Sequence, residues 1–358
     1  MQRSILCFAI VIGSVGVPVA AAAQANCVQA SGQQLIVYHA GSLTAAFTPV
    51  EQAFTCQTGV EVKDFTGGSV DLLRQVTAGG KAADVVASAD YVAMDQLLKP
   101  AKAASYTVVF AHGRMVLAYL DSDVGPSGKN LPPIVDPNGP QFVPPSSIPN
   151  VVENWHEILL QAGVVIGTSH PFLDPSGYRA HLMAQLARAH AGVPNLANDL
   201  LEHFVNTPAA APANAFTLGK QFDFEFIHEH SAQAAAQSTP DYRYAYLPDD
   251  VDLSNPGKNG RYSQATITMP GLGVEDPPMS VTIPATRTAW GLTIMNSAPN
   301  RESAITFVQM LLAPEGPGQA SLRKVGPDPI EPIVSQDDWA QVPSELQTII
   351  KSGDPLAI

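Results

Sequence analysis

The sequence predicts an α/β fold, a doubly wound and largely parallel sheet arrangement closing as two lobes. Three observations carry that prediction. Between residues 34 and 98 an apolar run, a turn containing Ser and a helical pattern follow one another three times. The same α/β form returns near the end of the chain, after a middle section with strands and helices of its own. The 358 residues are 46% hydrophobic and 14% charged, enough to bury two cores and too apolar for disorder.

The first unit is the apolar run Leu35-Ile36-Val37-Tyr38, the turn His39-Ala40-Gly41-Ser42 and a helical stretch over residues 43–54. The second places a strand at 60–65, a turn at Gly67-Gly68-Ser69 and a helix at 70–78, with Val70, Leu73 and Val76 on one face. In the third, strand 83–87 leads through Ser88-Ala89-Asp90 into helix 91–98. Another strand is expected at 115–119. Eight prolines between residues 125 and 150 then predict an irregular excursion, because Pro blocks both helix and ladder hydrogen bonds.

Structure is expected to resume near Trp155, with a strand at 164–168 and a helix opened by Asp174-Pro175-Ser176-Gly177-Tyr178-Arg179. Residues 281–294 are β-rich, and 301–312 form a helix with Ile305, Val308, Leu311 and Leu312 inward. This order suggests one lobe from residues 30–118 plus 287–345 and a second from 119–286, joined by two crossovers.

Residues 1–23 read as a cleaved secretory signal peptide. Arg3 is followed by an apolar stretch interrupted by Gly13, Gly16 and Pro18 and closed by four alanines. Export to the periplasm or the extracellular space follows. Cys7 leaves with the leader, so Cys27 and Cys56 remain for a disulfide in an oxidising compartment. Loss of Arg3 leaves 18 basic against 32 acidic side chains, a net charge of −14. No Lys/Arg run reaches three residues, which argues against nucleic acid as a partner.

The residues of chemical interest are the turns that open helices. A helix N-terminus presents unpaired N–H groups and about half a positive charge, Gly lets the backbone approach a ligand, and Ser adds a hydroxyl. Several such turns on one sheet edge would hold an anion without a Lys or Arg, as an acidic protein requires. Ordinary helix capping is the alternative for each turn taken singly. His228 and His230 flank Glu229 in a pattern open to metal ligation only on a strand, where i and i+2 share a face, and the alternation of Phe222, Phe224 and Phe226 before them fits one. Arg179 reads as a solvated or paired residue after a cap, and Trp155, Trp290 and Trp339 as packing residues.

No nucleophile elbow, Walker loop, zinc-protease helix or dinucleotide fingerprint occurs in the sequence. A hydrolase built on Ser42 and His39 has no acid partner nearby in the chain, so an enzyme is not expected.

The segments Val37-Tyr38-His39-Ala40-Gly41-Ser42-Leu43, Gly67-Gly68-Ser69-Val70 and 80–91, together with 174–179, 247–256 and 298–316, resemble the periplasmic substrate-binding proteins of molybdate and tungstate ABC transporters. The resemblance spans most of residues 35–333 and is nearest to the tungstate/molybdate branch. It implies a two-lobed periplasmic-binding-protein fold of type II, with two crossover strands and a central cleft. It also implies oxyanion contacts from Ser42, Ser69, Ser88, Ala89, Asp174, Gly177 and Tyr178. In that branch two carboxylates complete the shell of the Mo or W centre. Asp174 matches the first, whereas Leu218 stands at the second, leaving Glu225 or Glu229 as substitutes. The implied cycle is capture of tungstate or molybdate by cleft closure and delivery to a membrane permease with its ATPase. No cofactor or resident metal is implied, and a monomer is expected. A solute-binding lobe repurposed as a sensor or for another anion is the alternative.

Overall fold

The computed structural model describes residues 27–120, 151–152, 155–207, 221–271 and 280–357. The expected signal peptide, the Pro-rich segment 126–149 and Leu218 lie outside the described residues.

Each of the three opening units forms as a strand feeding a helix. β1 (Gln34–Ala40) passes through a single 3-10 turn, Gly41–Leu43, into α1 (Thr44–Thr58). β2 (Glu61–Gly67) enters α2 (Ser69–Val76), and β3 (Val85–Ser88) enters α3 (Tyr91–Leu98). Gly59 ends α1 at φ 71°, a left-handed conformation that costs a residue without Cβ little. β4 (Val108–His112) follows, and Gly113-Arg114 then carries the chain straight into β5 (Met115–Leu120) of a second sheet.

The second lobe contains α4 (Trp155–Leu159), β6 (Ile166–Ser169), α5 (Pro175–Ala191), α6 (Leu196–Leu201), β7 (Phe204–Thr207), β8 (Phe224–His228), α7 (Glu229–Ser238), β9 (Tyr242–Ala245) and α8 (Asn259–Tyr262). A hairpin of β10 (Thr266–Pro270) and β11 (Ser280–Pro284) precedes the return strand β12 (Ala289–Ile294). The chain ends in the first sheet through α9 (Arg301–Leu312), α10 (Pro317–Val325), β13 (Asp328–Ser335) and β14 (Lys351–Gly353).

The first sheet has seven strands in the order β14-β13-β4-β12-β3-β1-β2, and the second has five in the order β7-β6-β8-β5-β9. Both are mixed, which corrects the expectation of largely parallel sheets. β1 pairs in parallel with β2 and β3, as consecutive βα units require, but β12 runs antiparallel to both β3 and β4. The reason is topological: β12 arrives from the other lobe and enters this sheet from the opposite end. The two crossovers are tied together. Gly113 N donates to Thr288 O at 3.1 Å, and Thr288 N donates to Leu253 O at 2.7 Å.

One face of the first sheet packs Leu35, Val37 and Val85 against Phe47, Phe54, Phe307 and Leu311 of α1 and α9. The other face joins a core that continues into the second lobe, from Val70, Leu73 and Met94 to Leu117, Tyr178, Phe224 and Phe226. The lobes therefore lie closed on each other. Cys27 and Cys56 form the expected disulfide, clipping the segment before β1 to α1.

Candidate functional site

The cleft between the lobes is floored by the carboxyl ends of β1, β2 and β3 on one side. Opposite stand the start of α5 and the β8–α7 junction. In an α/β sheet this edge collects ligands, because every strand there turns into a helix whose N–H groups point outward.

The lobe-one turns interlock. Ala89 N donates to Ser69 Oγ at 3.0 Å, and Asp90 N donates to Ser88 Oγ at 3.0 Å, while Ser88 Oγ donates to Asp90 O at 2.9 Å. Asp90 Oδ1 caps α3 by accepting from Val92 N and Ala93 N. Its Oδ2 reaches across the cleft, accepting from Tyr178 Oη at 2.7 Å and pairing with Arg179 Nη2 at 3.3 Å. Asp90 thus ties the Ser69–Ser88–Ala89 cluster to α5. Ser42 sits further along the edge, where its Oγ accepts from Trp290 Nε1 at 3.1 Å and its carbonyl accepts from His230 Nε2 of the other lobe at 2.9 Å.

On the lobe-two side Asp174 caps α5. Its Oδ1 accepts from Ser176 N and from Ser169 Oγ, both at 2.8 Å. Burial raises the Asp174 carboxyl above its ordinary range, against the pull of those two donors and of the Arg179 charge. Gly177 has a packing reason of its own. A Cβ there would lie 2.1 Å from Ser169 O, so only glycine lets α5 start this close to β6. The Tyr178 phenol is raised well above its ordinary range by burial first and by Asp90 second, so it serves Asp90 as a neutral donor.

Two polar groups that the sequence discounted are buried here without a partner: Arg179 Nη1 and His228 Nδ1. Arg179 is only 2% exposed, so its guanidinium is buried rather than solvated. Burial, then the Arg179 charge, holds the His228 imidazole well below its ordinary range, and burial lowers His230 to about 4. Both rings pack edge-on against Trp290, at 4.9 and 5.2 Å between centroids. Neither belongs to a metal-ligand cluster among the described residues. A cavity of about 290 Å³ beside His230 opens between α7 and the end of α10, lined by Arg114, Glu229, Tyr246, Arg323, Lys324 and Asp328.

Neither proposed substitute for the second carboxylate faces the cleft floor. Phe224, Phe226 and His228 point one way from β8. Glu225 points the other way, 1% exposed, opposite Ala118 and beside Tyr242. Glu229 is occupied by Tyr246 Oη at 2.6 Å and by Arg114 at 3.4 Å. Nor do Ser42 and His39 meet. His39 Nδ1 donates to Ala40 O and its Nε2 faces Asp64, so the ring has acid neighbours but no serine.

Residues 35–326 match the family of bacterial extracellular solute-binding proteins. The chain belongs to that family. A solute-binding protein of Petrotoga mobilis with no assigned solute is 29% identical over 324 residues, covering 89% of this chain and 91% of its own. The molybdate/tungstate-binding protein WtpA of Pyrococcus abyssi is 28% identical over 347 residues, covering 89% and 90%. Among solved structures, the sulfate-binding protein SubI of Mycobacterium tuberculosis superposes with a TM-score of 0.53 at 16% identity, covering 84% of this chain and 88% of SubI. The periplasmic molybdate-binding protein of Azotobacter vinelandii gives 0.52 at 17%, covering 82% and 98%. The two-lobed α/β binding-protein fold is therefore that of this chain. As a solute-binding protein it serves an ABC permease and is not an enzyme. The Cys27–Cys56 bond is consistent with an exported member of this family.

Proposed function

We propose that this solute-binding protein captures a tetrahedral oxyanion of the tungstate/molybdate kind in the interlobe cleft and delivers it to its permease. The observation that carries the reading is the Asp90 junction. It joins the Ser69, Ser88 and Ala89 turns of one lobe to Tyr178 and Arg179 of the other, next to two buried and unpartnered donors or acceptors. The similarity to the molybdate/tungstate-binding protein WtpA, aligned over 89% of this chain, supports the same solute class.

In this reading Ser42, Ser69, Ser88, Ala89, Gly177 and Tyr178 line the oxyanion site. Arg179 Nη1 adds a charge-assisted donor beside them. Asp174 holds the start of α5 against Ser169 and orients its N–H groups. With its carboxyl raised by burial, Asp174 is less repulsive to a dianion than an ordinary aspartate. Closure is driven only by the difference in the anion's affinity for the closed and open forms. The permease recognises the closed form, and energy coupling rests with its ATPase.

Thermal unfolding and calorimetry of the purified chain against tungstate, molybdate, sulfate and phosphate test the proposal. Tungstate or molybdate at a hundredfold excess over Kd is expected to add about 2.7 kcal/mol of stability. An unchanged melting temperature with all four anions rules the oxyanion reading out.

A further inference from the structure

We propose that His39, Glu51 and Asp64 form a divalent-cation site of zinc type inside the first lobe, separate from the solute cleft. The three residues come from different elements, β1, α1 and β2, on the sheet face that α1 covers. His39 Nε2 lies 3.0 Å from Asp64 Oδ1 and 3.7 Å from Glu51 Oε1, and one ligand atom from each residue fits within a 4.8 Å span. Tetrahedral zinc with nitrogen and oxygen ligands at about 2.0–2.2 Å holds its ligands about 3.3 Å apart. The separations of 3.0 and 3.7 Å bracket that value.

The orientation of the histidine carries the inference furthest. His39 is 0% exposed, and its Nδ1–H donates to Ala40 O at 2.8 Å. That bond leaves the Nε2 lone pair directed at two carboxylates, the tautomer in which metal-binding histidines are held by their outer neighbours. Neither His39 Nε2 nor Glu51 Oε1 makes a hydrogen bond. A lone pair facing two carboxylates needs a positive charge between them, and a proton on Nε2 points at one carboxylate while leaving the other unpaired. A cation engages all three atoms and neutralises both acids. The Asp64 side chain is 28% exposed, which gives the ion a way in and leaves room for a water as the fourth ligand. One imidazole with two carboxylates suits zinc or its cobalt surrogate better than calcium or magnesium, which take oxygen alone.

The test is calorimetric titration of the chelator-stripped, purified chain with zinc chloride, with cobalt absorption as a spectroscopic check. One zinc per chain is expected, together with a visible cobalt band of a low-coordinate site. Asp64→Asn and Glu51→Gln keep the shapes of partly exposed and helix-borne side chains, and each is expected to weaken zinc at least about 100-fold while leaving the oxyanion response unchanged. Circular dichroism confirms that the variant read out is folded, and either variant suffices. Absence of saturable zinc binding by the unaltered chain overturns the proposal. So does binding that survives in both variants. In either event the cluster is a buried contact of His39 with Glu51 and Asp64 and no ion site.

Discussion

At the scale of single residues, Asp90 and Glu225 illustrate opposite fates of a buried carboxylate. Asp90 has two amide donors, a phenol and a guanidinium around it, so its charge is answered on every side. Glu225 has none. Both of its oxygens are buried without a partner, and burial raises its carboxyl well above the ordinary range. Folded Glu225 therefore keeps its proton at a pH where the unfolded chain has released it. Stability is unaffected below about pH 4.3, and it declines by about 1.4 kcal/mol per unit as the pH rises above that until the folded carboxyl ionises. Glu225→Gln is expected to remove this slope, so its stability advantage in urea unfolding should grow steadily from pH 5 to pH 7. A constant difference across that range contradicts the assignment. The buried histidines work in the opposite direction. His230, lowered to about 4, costs stability as the pH falls below about 6.5, and it is common to both proteins in the comparison.

At the scale of elements, the start of α5 decides whether the two halves of the cleft meet. Asp174 caps it, Pro175 opens its first turn without needing an N–H partner, and Gly177 lets it lie against the end of β6. Gly177→Ala would place a methyl 2.1 Å from Ser169 O, against backbone that cannot rotate away. A loss of about 3 kcal/mol in stability is expected, with weakened oxyanion binding because Tyr178 and Arg179 shift with the helix. Gly260→Ala in α8 is the control. No atom lies within 4 Å of its added Cβ, so its stability should stay within about 1 kcal/mol of the parent. Equal effects of the two substitutions in chemical denaturation would refute the packing argument. The strand, turn and helix of each opening unit were legible because apolar runs, Ser/Gly turns and caps act over a few residues. The antiparallel return of β12 was not, since nothing within residues 289–294 records which end of a sheet they enter. Nor did β8 announce its faces: Glu225 reads as a cleft candidate by proximity in sequence, and the pleat turns it away.

At the scale of the whole molecule, closure rests on few polar clasps over a shared apolar core. Arg74 of α2 donates to Phe172 O at 2.5 Å and to Pro270 O at 2.9 Å, and Asp71 N donates to Leu173 O at 3.1 Å, all across the cleft. Removing the clasp should favour the open form without touching the anion. Arg74→Ala is expected to speed oxyanion dissociation about tenfold, a change of about 1.4 kcal/mol, while association changes little. Stopped-flow release kinetics measure this, and an unaltered dissociation rate would assign Arg74 to the surface alone.

The amino-acid order alone was sufficient for the α/β grammar, the Ser/Gly turns at helix starts and the pairing of Cys27 with Cys56, since each depends on local periodicity or on counting. Tertiary structure alone decided that Asp90 spans the lobes, that Arg179 is buried with a free nitrogen, and that His39 meets Glu51 and Asp64. The physical reason is that a side chain's charge and hydrogen bonds are settled by whichever residues folding brings to it. Those neighbours sit on other strands and helices, where no pattern within a short window of sequence can register them.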